Sequence, residues 1–168
     1  FDVLQLLPLR SRLDFGRASR LTHDMAMDSI VSLRLPDAGT AASLSLALST
    51  LPALRSLTLS THTAVLASLP PGTGPPLIRL NLAGAWGLTE AELAAILASW
   101  PDLLTLNLHN TRQLRQLSPL TQLTRLEHLV LTSCHHALPE RHLYDSIIGC
   151  TALRELDLSL SLPVSTAL

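Results

Sequence analysis

From Ile30 onward, hydrophobic and polar positions alternate in short bursts that return at a nearly fixed interval. Each burst has an apolar residue, two variable positions, Leu, one variable position and Leu again. The openings fall at Ile30, Leu54, Leu77, Leu103, Leu126 and Leu153, at spacings of 24, 23, 26, 23 and 27 residues. The leucine pairs are Leu33/Leu35, Leu57/Leu59, Leu80/Leu82, Leu106/Leu108, Leu129/Leu131 and Leu156/Leu158. Period-two alternation puts both leucines of a pair on one face of a short strand. A single strand cannot bury that face alone. Stacking the units side by side makes a parallel sheet with a continuous leucine core behind it.

The segments between strands predict the second layer. Ala41 to Leu51 reads as a helix with Leu44, Leu48 and Leu51 inward, and Thr63 to Leu69 as a short helical turn. Pro70 to Pro76 reads as a rigid, exposed connection. Thr89-Glu-Ala-Glu92 is a capping-box signature, followed by inward Leu93, Ile96, Leu97 and Trp100. Leu114, Leu117, Leu120 and Leu123 recur every three residues, which suits a 3₁₀-like return. Pro139 opens the last helix, with Leu143, Ile147 and Cys150 inward. The chain ends in Ser161-Leu-Pro-Val-Ser-Thr-Ala-Leu168 without a polar cap, so further chain or a partner is expected to cover that end.

Residues 1–29 lack the ladder. Phe1 to Leu21 reads as two short helices broken near Pro8, the second capped by Ser11 or Asp14, with Leu9, Leu13, Ala18 and Leu21 on one face. The expected organisation is a helical N-terminal cap over 1–29 and an α/β repeat domain over 30–168. The start at Phe1 rather than Met reads as a processed protein or part of a longer one.

These repeats resemble leucine-rich-repeat proteins, whose fold is a right-handed solenoid: a short horseshoe with a parallel sheet on the concave face and helices or 3₁₀ turns on the convex face. The units at Leu77 and Leu126 are similar to the cysteine-containing subtype found in F-box/leucine-rich-repeat proteins. Leu126-Glu-His-Leu-Val-Leu-Thr-Ser-Cys134 places Cys where that subtype has it, and Ile148-Gly-Cys150-Thr-Ala-Leu153 matches its junction into the next strand. Trp100 and Ala85 stand where the unit at Leu77 has Cys in the subtype, and the shorter units at Leu54 and Leu103 depart from it. Residues 2–35 resemble the later part of an F-box through Val3-Leu4, Leu7-Pro8-Leu9-Arg10, Leu13, Ala18-Ser-Arg20, Ala26-Met-Asp28 and Ser32-Leu33-Arg34-Leu35. The opening helix of that motif is absent, and Leu21 and Thr22 stand where it carries Trp. The resemblance implies a substrate-recognition subunit of an F-box-type ubiquitin ligase, meeting its adaptor through residues 1–29.

Composition narrows the chemistry. Aromatics make up 3% of the chain, too few for a base-stacking platform. All twelve basic residues are Arg, they are scattered, and the formal charge is −1, so no nucleic-acid or anionic-membrane footprint is expected. No apolar run reaches the roughly 18–20 residues of a membrane span. Two cysteines, Cys134 and Cys150, are too few for a disulfide framework and point to a reducing intracellular compartment, cytoplasmic in the first instance.

Strand register predicts the surface. One column is Ser32, Ser56, Arg79, Thr105, His128 and Glu155; the next is Arg34, Thr58, Asn81, Asn107, Val130 and Asp157; the third is Pro36, Ser60, Ala83, His109, Thr132 and Ser159. With strands about 4.8 Å apart, Arg79, His109 and His128 are expected to cluster near the middle, and Glu155 with Asp157 to make one end acidic. Trp86, after Gly84-Ala85, is expected to be exposed and is the best single anchor outside the sheet. The candidate partner-binding residues are therefore Arg34, Arg79, Asn81, Trp86, Asn107, His109, His128, Glu155 and Asp157.

Cys134, His135, His136 and His142 are residue types that bind zinc, but Cys134 falls on a core position, pointing away from the histidines. Cys150 with His142 has the types of a nucleophile and base, but Cys150 also falls inward. Gly72-Thr-Gly74 lies among prolines with no following Lys, unlike a phosphate loop. No catalytic residue, metal or cofactor is expected. The expected function is a non-enzymatic protein-interaction module; the alternative is a structural subunit of a large multiprotein or ribonucleoprotein assembly, such as a mitochondrial, ribosomal or ciliary one.

Overall fold

In a computed structural model of the chain, the described residues are 32–34, 41–61, 63–72, 74–134 and 140–159. They form six three-residue strands: β1 (Ser32–Arg34), β2 (Ser56–Thr58), β3 (Arg79–Asn81), β4 (Thr105–Asn107), β5 (His128–Val130) and β6 (Glu155–Asp157). The sheet is parallel throughout and its spatial order is the chain order, β1 to β6. The fold is thus α/β, built on a six-stranded all-parallel sheet. The N-terminal cap expected over residues 1–29, the opening at Ile30, the inward Leu35, Pro139 and the C-terminal segment from Leu160 lie outside the described residues.

Each strand places its central leucine on the core side. Leu33, Leu57, Leu80, Leu106 and Leu129 are buried, while Leu156 on β6 is half-buried. The second leucine follows: Leu59, Leu82, Leu108 and Leu131 are buried, and Leu158 is half-buried. Burying a leucine side chain is worth ~1.5–3 kcal/mol, and the core is almost entirely leucine.

The return segments differ in length but share the core. They are α1 (Ala41–Thr50), α2 (Thr63–Ala67), α3 (Glu90–Ser99), a 3₁₀ turn (Ser118–Gln122) and α4 (Glu140–Ile147). Thr89 caps α3 as its sequence predicts: the Thr89 hydroxyl accepts from the Glu92 N–H at 3.2 Å, and Glu92 Oε2 accepts from the Thr89 N–H at 2.9 Å. Leu93, Ile96, Leu97 and Trp100 line its buried side. The leucines at 114, 117, 120 and 123 are all buried around the 3₁₀ turn.

Units are stitched together by side chains as well as by the sheet. Glu90 Oε1, in the first turn of α3, accepts from the backbone N–H groups of Arg115 and Gln116 at 3.0 and 2.8 Å. The proline-rich connection differs from expectation. Pro75 is buried, and its carbonyl accepts a 2.8 Å hydrogen bond from Trp100 Nε1. A buried indole N–H needs a partner, and this one draws the connection onto the core; Pro70, Pro71 and Pro76 remain exposed.

The exits of β3, β4 and β5 share one turn. Gly84, Asn110 and Ser133 occupy equivalent positions with φ of 78°, 56° and 61°. The next residue in each case, Ala85, Thr111 or Cys134, turns inward and is buried. A left-handed residue is what lets the chain leave the strand and drop a side chain straight into the core.

Candidate functional site: the open face of the sheet

The strands carry their non-leucine positions on the face opposite the core. Ser32, Ser56, Arg79, Thr105, His128 and Glu155 pair in one unbroken row, and Arg34, Thr58, Asn81, Asn107, Val130 and Asp157 in the next. No strand is offset from its neighbour. Arg34, Arg79, Glu155 and Asp157 are exposed; Asn81, Asn107, His109 and His128 are half-buried.

Of the three basic groups expected to cluster, the two histidines are engaged with neighbours of their own. Arg79 lies on β3 and His128 on β5, with Thr105 between them in the row. His128 Nδ1 meets Glu155 Oε2 at 2.9 Å, and its Nε2 lies 3.9 Å from Glu127 Oε2. His109 Nδ1 meets the Thr132 hydroxyl at 2.6 Å. Each imidazole meets a carboxylate or hydroxyl of the adjacent unit on its C-terminal side, one strand away.

Glu155 and Asp157 stand side by side on the outermost strand, and both are partly committed. Glu155 reaches back to His128, while Asp157 Oδ1 accepts from the Ser159 N–H at 3.0 Å and the Ser159 hydroxyl at 2.7 Å. The Ser159 hydroxyl, then its N–H, and more weakly the nearby His109, hold the Asp157 carboxyl below its ordinary pKa.

The same turn recurs elsewhere. Asn81 Oδ1 accepts from the Ala83 N–H at 2.9 Å and Asn107 Oδ1 from the His109 N–H at 2.8 Å. Asn81, Asn107 and Asp157 therefore brace the strand exits, in the manner of Asx turns. Their presentation to a partner is limited to the atoms left over. Periodicity finds their column but not this bond, which a recurring Asn or Asp after the first leucine of the pair would have suggested.

Trp86 sits at the strand-exit edge and is 62% exposed. The Arg112 guanidinium, from the next unit, lies 5.9 Å from its ring centroid, while Arg112 Nε donates to Asn110 Oδ1 at 2.9 Å. The cation holds the indole in place and leaves most of its surface to solvent. Sequence reading found Trp86 but missed Arg112, whose 26-residue offset is one unit.

The cysteines are core thiols. Cys134 Sγ points to the Leu108 carbonyl at 3.4 Å, and Cys150 Sγ donates to the Leu120 carbonyl at 3.2 Å. Burial pushes the Cys150 thiol pKa up, away from a reactive thiolate. Among the described residues no group of three or more His, Cys, Asp or Glu is placed to hold a metal ion; His135, His136 and the His142 side chain lie outside them. The Thr132–His109 contact joins a hydroxyl to an imidazole, but among the described residues no carboxylate hydrogen-bonds the other ring nitrogen to complete a relay. No helix among the described residues is long and apolar enough to cross a membrane.

A scan against protein-family models finds no match for this chain, and a search of the curated proteins finds none either.

Proposed function

We propose that the chain is a leucine-rich-repeat solenoid whose task is non-enzymatic protein binding, with the open face and its Trp86 edge as the contact surface. The observation that carries this reading is the unshifted register of six parallel strands, which turns scattered residues into straight rows above a leucine core. Rows of small polar and charged groups beside one exposed, cation-braced tryptophan suit a protein surface that buries an aromatic anchor within a polar rim.

The most specific version is a substrate-recognition subunit of an F-box-type ubiquitin ligase. It draws support from the pattern over residues 2–35 and from Cys134 and Cys150 at the positions of the cysteine-containing subtype. The second reading, a structural subunit of a large assembly, is favoured by exposed apolar side chains in a second place, Tyr144 on α4 and Ile148 just past its end. Permanent interfaces are the more apolar kind.

Photo-crosslinkers placed at Arg79 and Trp86, with recovery of the native complexes, test the proposal. Cross-links from both positions to one protein, lost on Arg112→Ala, are expected. Co-purification of a ligase adaptor that depends on residues 1–29 supports the ligase version. Stable recovery in a megadalton particle without an adaptor supports the second. No cross-links from either position would remove the open face as the contact surface.

A further inference from the structure

We infer that Trp86 and Arg112 form a two-part receptor for one kind of partner segment: a side-chain carboxylate, Asp or Glu, standing beside a large apolar residue. The inference rests on the reading of this chain as a protein-binding module and adds the partner's chemistry to it.

The pair is in position before any partner arrives. The Gly84 N–H donates to the His109 carbonyl at 2.8 Å and the Asn110 N–H to the Thr132 carbonyl at 2.9 Å, so each of these strand exits is pinned to the next. Ala85 and Thr111 then turn into the core, and Trp86 and Arg112 follow them directly. The main-chain N–H of Trp86 donates to the Gly84 carbonyl at 2.8 Å, which fixes the backbone that carries the indole. Ordering a long side chain at an interface costs rotamer entropy. Here the ring and Asn110 Oδ1 already hold the guanidinium.

Two surfaces are left over. A guanidinium meets a ring through its face and donates hydrogen bonds in its plane, so the two uses do not compete. Nε is spent on Asn110, and among the described residues Nη1 and Nη2 have no acceptor. Those two nitrogens make the fork that a carboxylate fits. The indole beside them is 62% exposed, and a Cβ at Gly87 would meet nothing within 4 Å, so the space next to the ring is open to an apolar side chain.

Charge decides the sign of the partner. The stretches that follow the leucine pairs, 60–63, 83–89, 109–116 and 132–139, hold no Asp or Glu against Arg112, Arg115 and four histidines. In the two units that carry the pair, residues 77–125, the carboxylates are Glu90, Glu92 and Asp102. Glu90 accepts from the Arg115 and Gln116 N–H groups, Glu92 from the Thr89 N–H, and Asp102 meets Arg125 at 3.0 Å. The fork of Arg112 is thus left to a carboxylate from outside. A basic segment would face it as a like charge, and a purely apolar one would strip water from it without replacing the hydrogen bonds.

The test uses the full chain, labelled with ¹⁵N, and two end-capped synthetic peptides, Ser-Leu-Asp-Phe-Ser and Ser-Leu-Asn-Phe-Ser, which differ in one charge. The chain has two tryptophans, so the indole N–H of buried Trp100, bonded to Pro75, is the internal reference. The aspartate peptide should shift the Trp86 indole signal saturably and leave that of Trp100 in place. It should bind about fivefold more tightly than the asparagine peptide, and the difference should shrink with salt. The preference should narrow in Arg112→Lys, which keeps the charge and loses the fork, and vanish in Arg112→Gln, which loses both. Trp86→Ala should remove binding of both peptides with the melting curve unchanged. Equal binding of the two peptides, no saturable shift at Trp86, or an undiminished preference in Arg112→Gln would each overturn the inference. Acid-selective binding at Trp86 with no cross-links from positions 79 and 86 would sink the open-face reading alone; cross-links there with no preference between the peptides would sink this one alone.

Discussion

The indole N–H of Trp100 donates to the carbonyl of Pro75 across 2.8 Å, joining residues 25 apart in the chain. One hydrogen bond thereby fixes both the end of α3 and the path of the proline-rich connection. Trp100→Phe keeps most of the apolar area and removes the donor. It should cost about 1–2 kcal/mol, because Pro75 is buried while its carbonyl keeps only the Leu77 N–H. Urea denaturation of the two proteins measures the difference; an unchanged midpoint would show that the bond contributes nothing.

Gly149 leaves no room for a side chain. A Cβ there would stand 2.6 Å from Thr121 Cα and 2.8 Å from its carbonyl carbon, besides meeting the carbonyl oxygen. These are main-chain atoms, so the clash moves α4 away from the 3₁₀ turn. Gly149→Ala should destabilise by about 1–3 kcal/mol, and trimming Thr121 to Ala should restore none of it.

Ser133 holds a left-handed backbone with φ of 61°, where the equivalent position of β3 carries Gly84. That conformation costs a non-glycine residue roughly 1–2 kcal/mol, partly offset by glycine's greater freedom in the unfolded chain. Ser133→Gly should therefore raise stability by about 0.5–1 kcal/mol, read as a higher thermal midpoint. Gly84→Ala should lower it.

Adjacent positions on β4 should respond oppositely to the same new charge. Leu106 is fully buried, so Leu106→Asp places an unpaired carboxylate in the leucine core and should unfold the protein. Asn107→Asp keeps an oxygen to accept from the His109 N–H, as Asp157 does for Ser159, and should leave the circular dichroism and melting curve nearly unchanged. Equal damage from both would place residue 107 in the core.

Two titrations carry signs that can be checked. The Asp157 carboxyl is lowered by its bonds from Ser159, so its contribution to stability is present above the unfolded pKa and is lost as pH falls through the lower, folded value. Ser159→Ala should move that carboxyl back up, visible by NMR titration. The Cys150 thiol is raised by burial, so the unfolded chain ionises first and stability declines as pH climbs past the unfolded thiol pKa. Iodoacetamide should spare Cys150 in the native protein and label it in denaturant; rapid native labelling would contradict its burial.

Much of this arrangement was legible in the residues. The leucine period located the five described strand openings from Leu54 to Leu153 and put the rows in register; Thr89 and Glu92 announced the start of α3; the triplet spacing from Leu114 announced the 3₁₀ turn. Each depends on neighbours a few positions apart. The links between units were not legible. Trp100 to Pro75, His109 to Thr132, His128 to Glu155 and Glu90 to Arg115 join residues 23 to 27 apart, where periodicity gives proximity but not the rotamer or the competing partner. That is why His109 and His128 turn to partners in the next unit, and why exposed-looking prolines include a buried one.

Because successive strands align without any stagger, every outward residue has a pair of coordinates: which strand, and which row. Altering one cell is felt by its lateral neighbours and, where an Asn or Asp braces the strand exit, by the residue two positions on; splicing in a complete strand-and-return module would widen the grid while leaving its columns straight. Such a surface can be rewritten letter by letter wherever the residue does not also brace a strand exit.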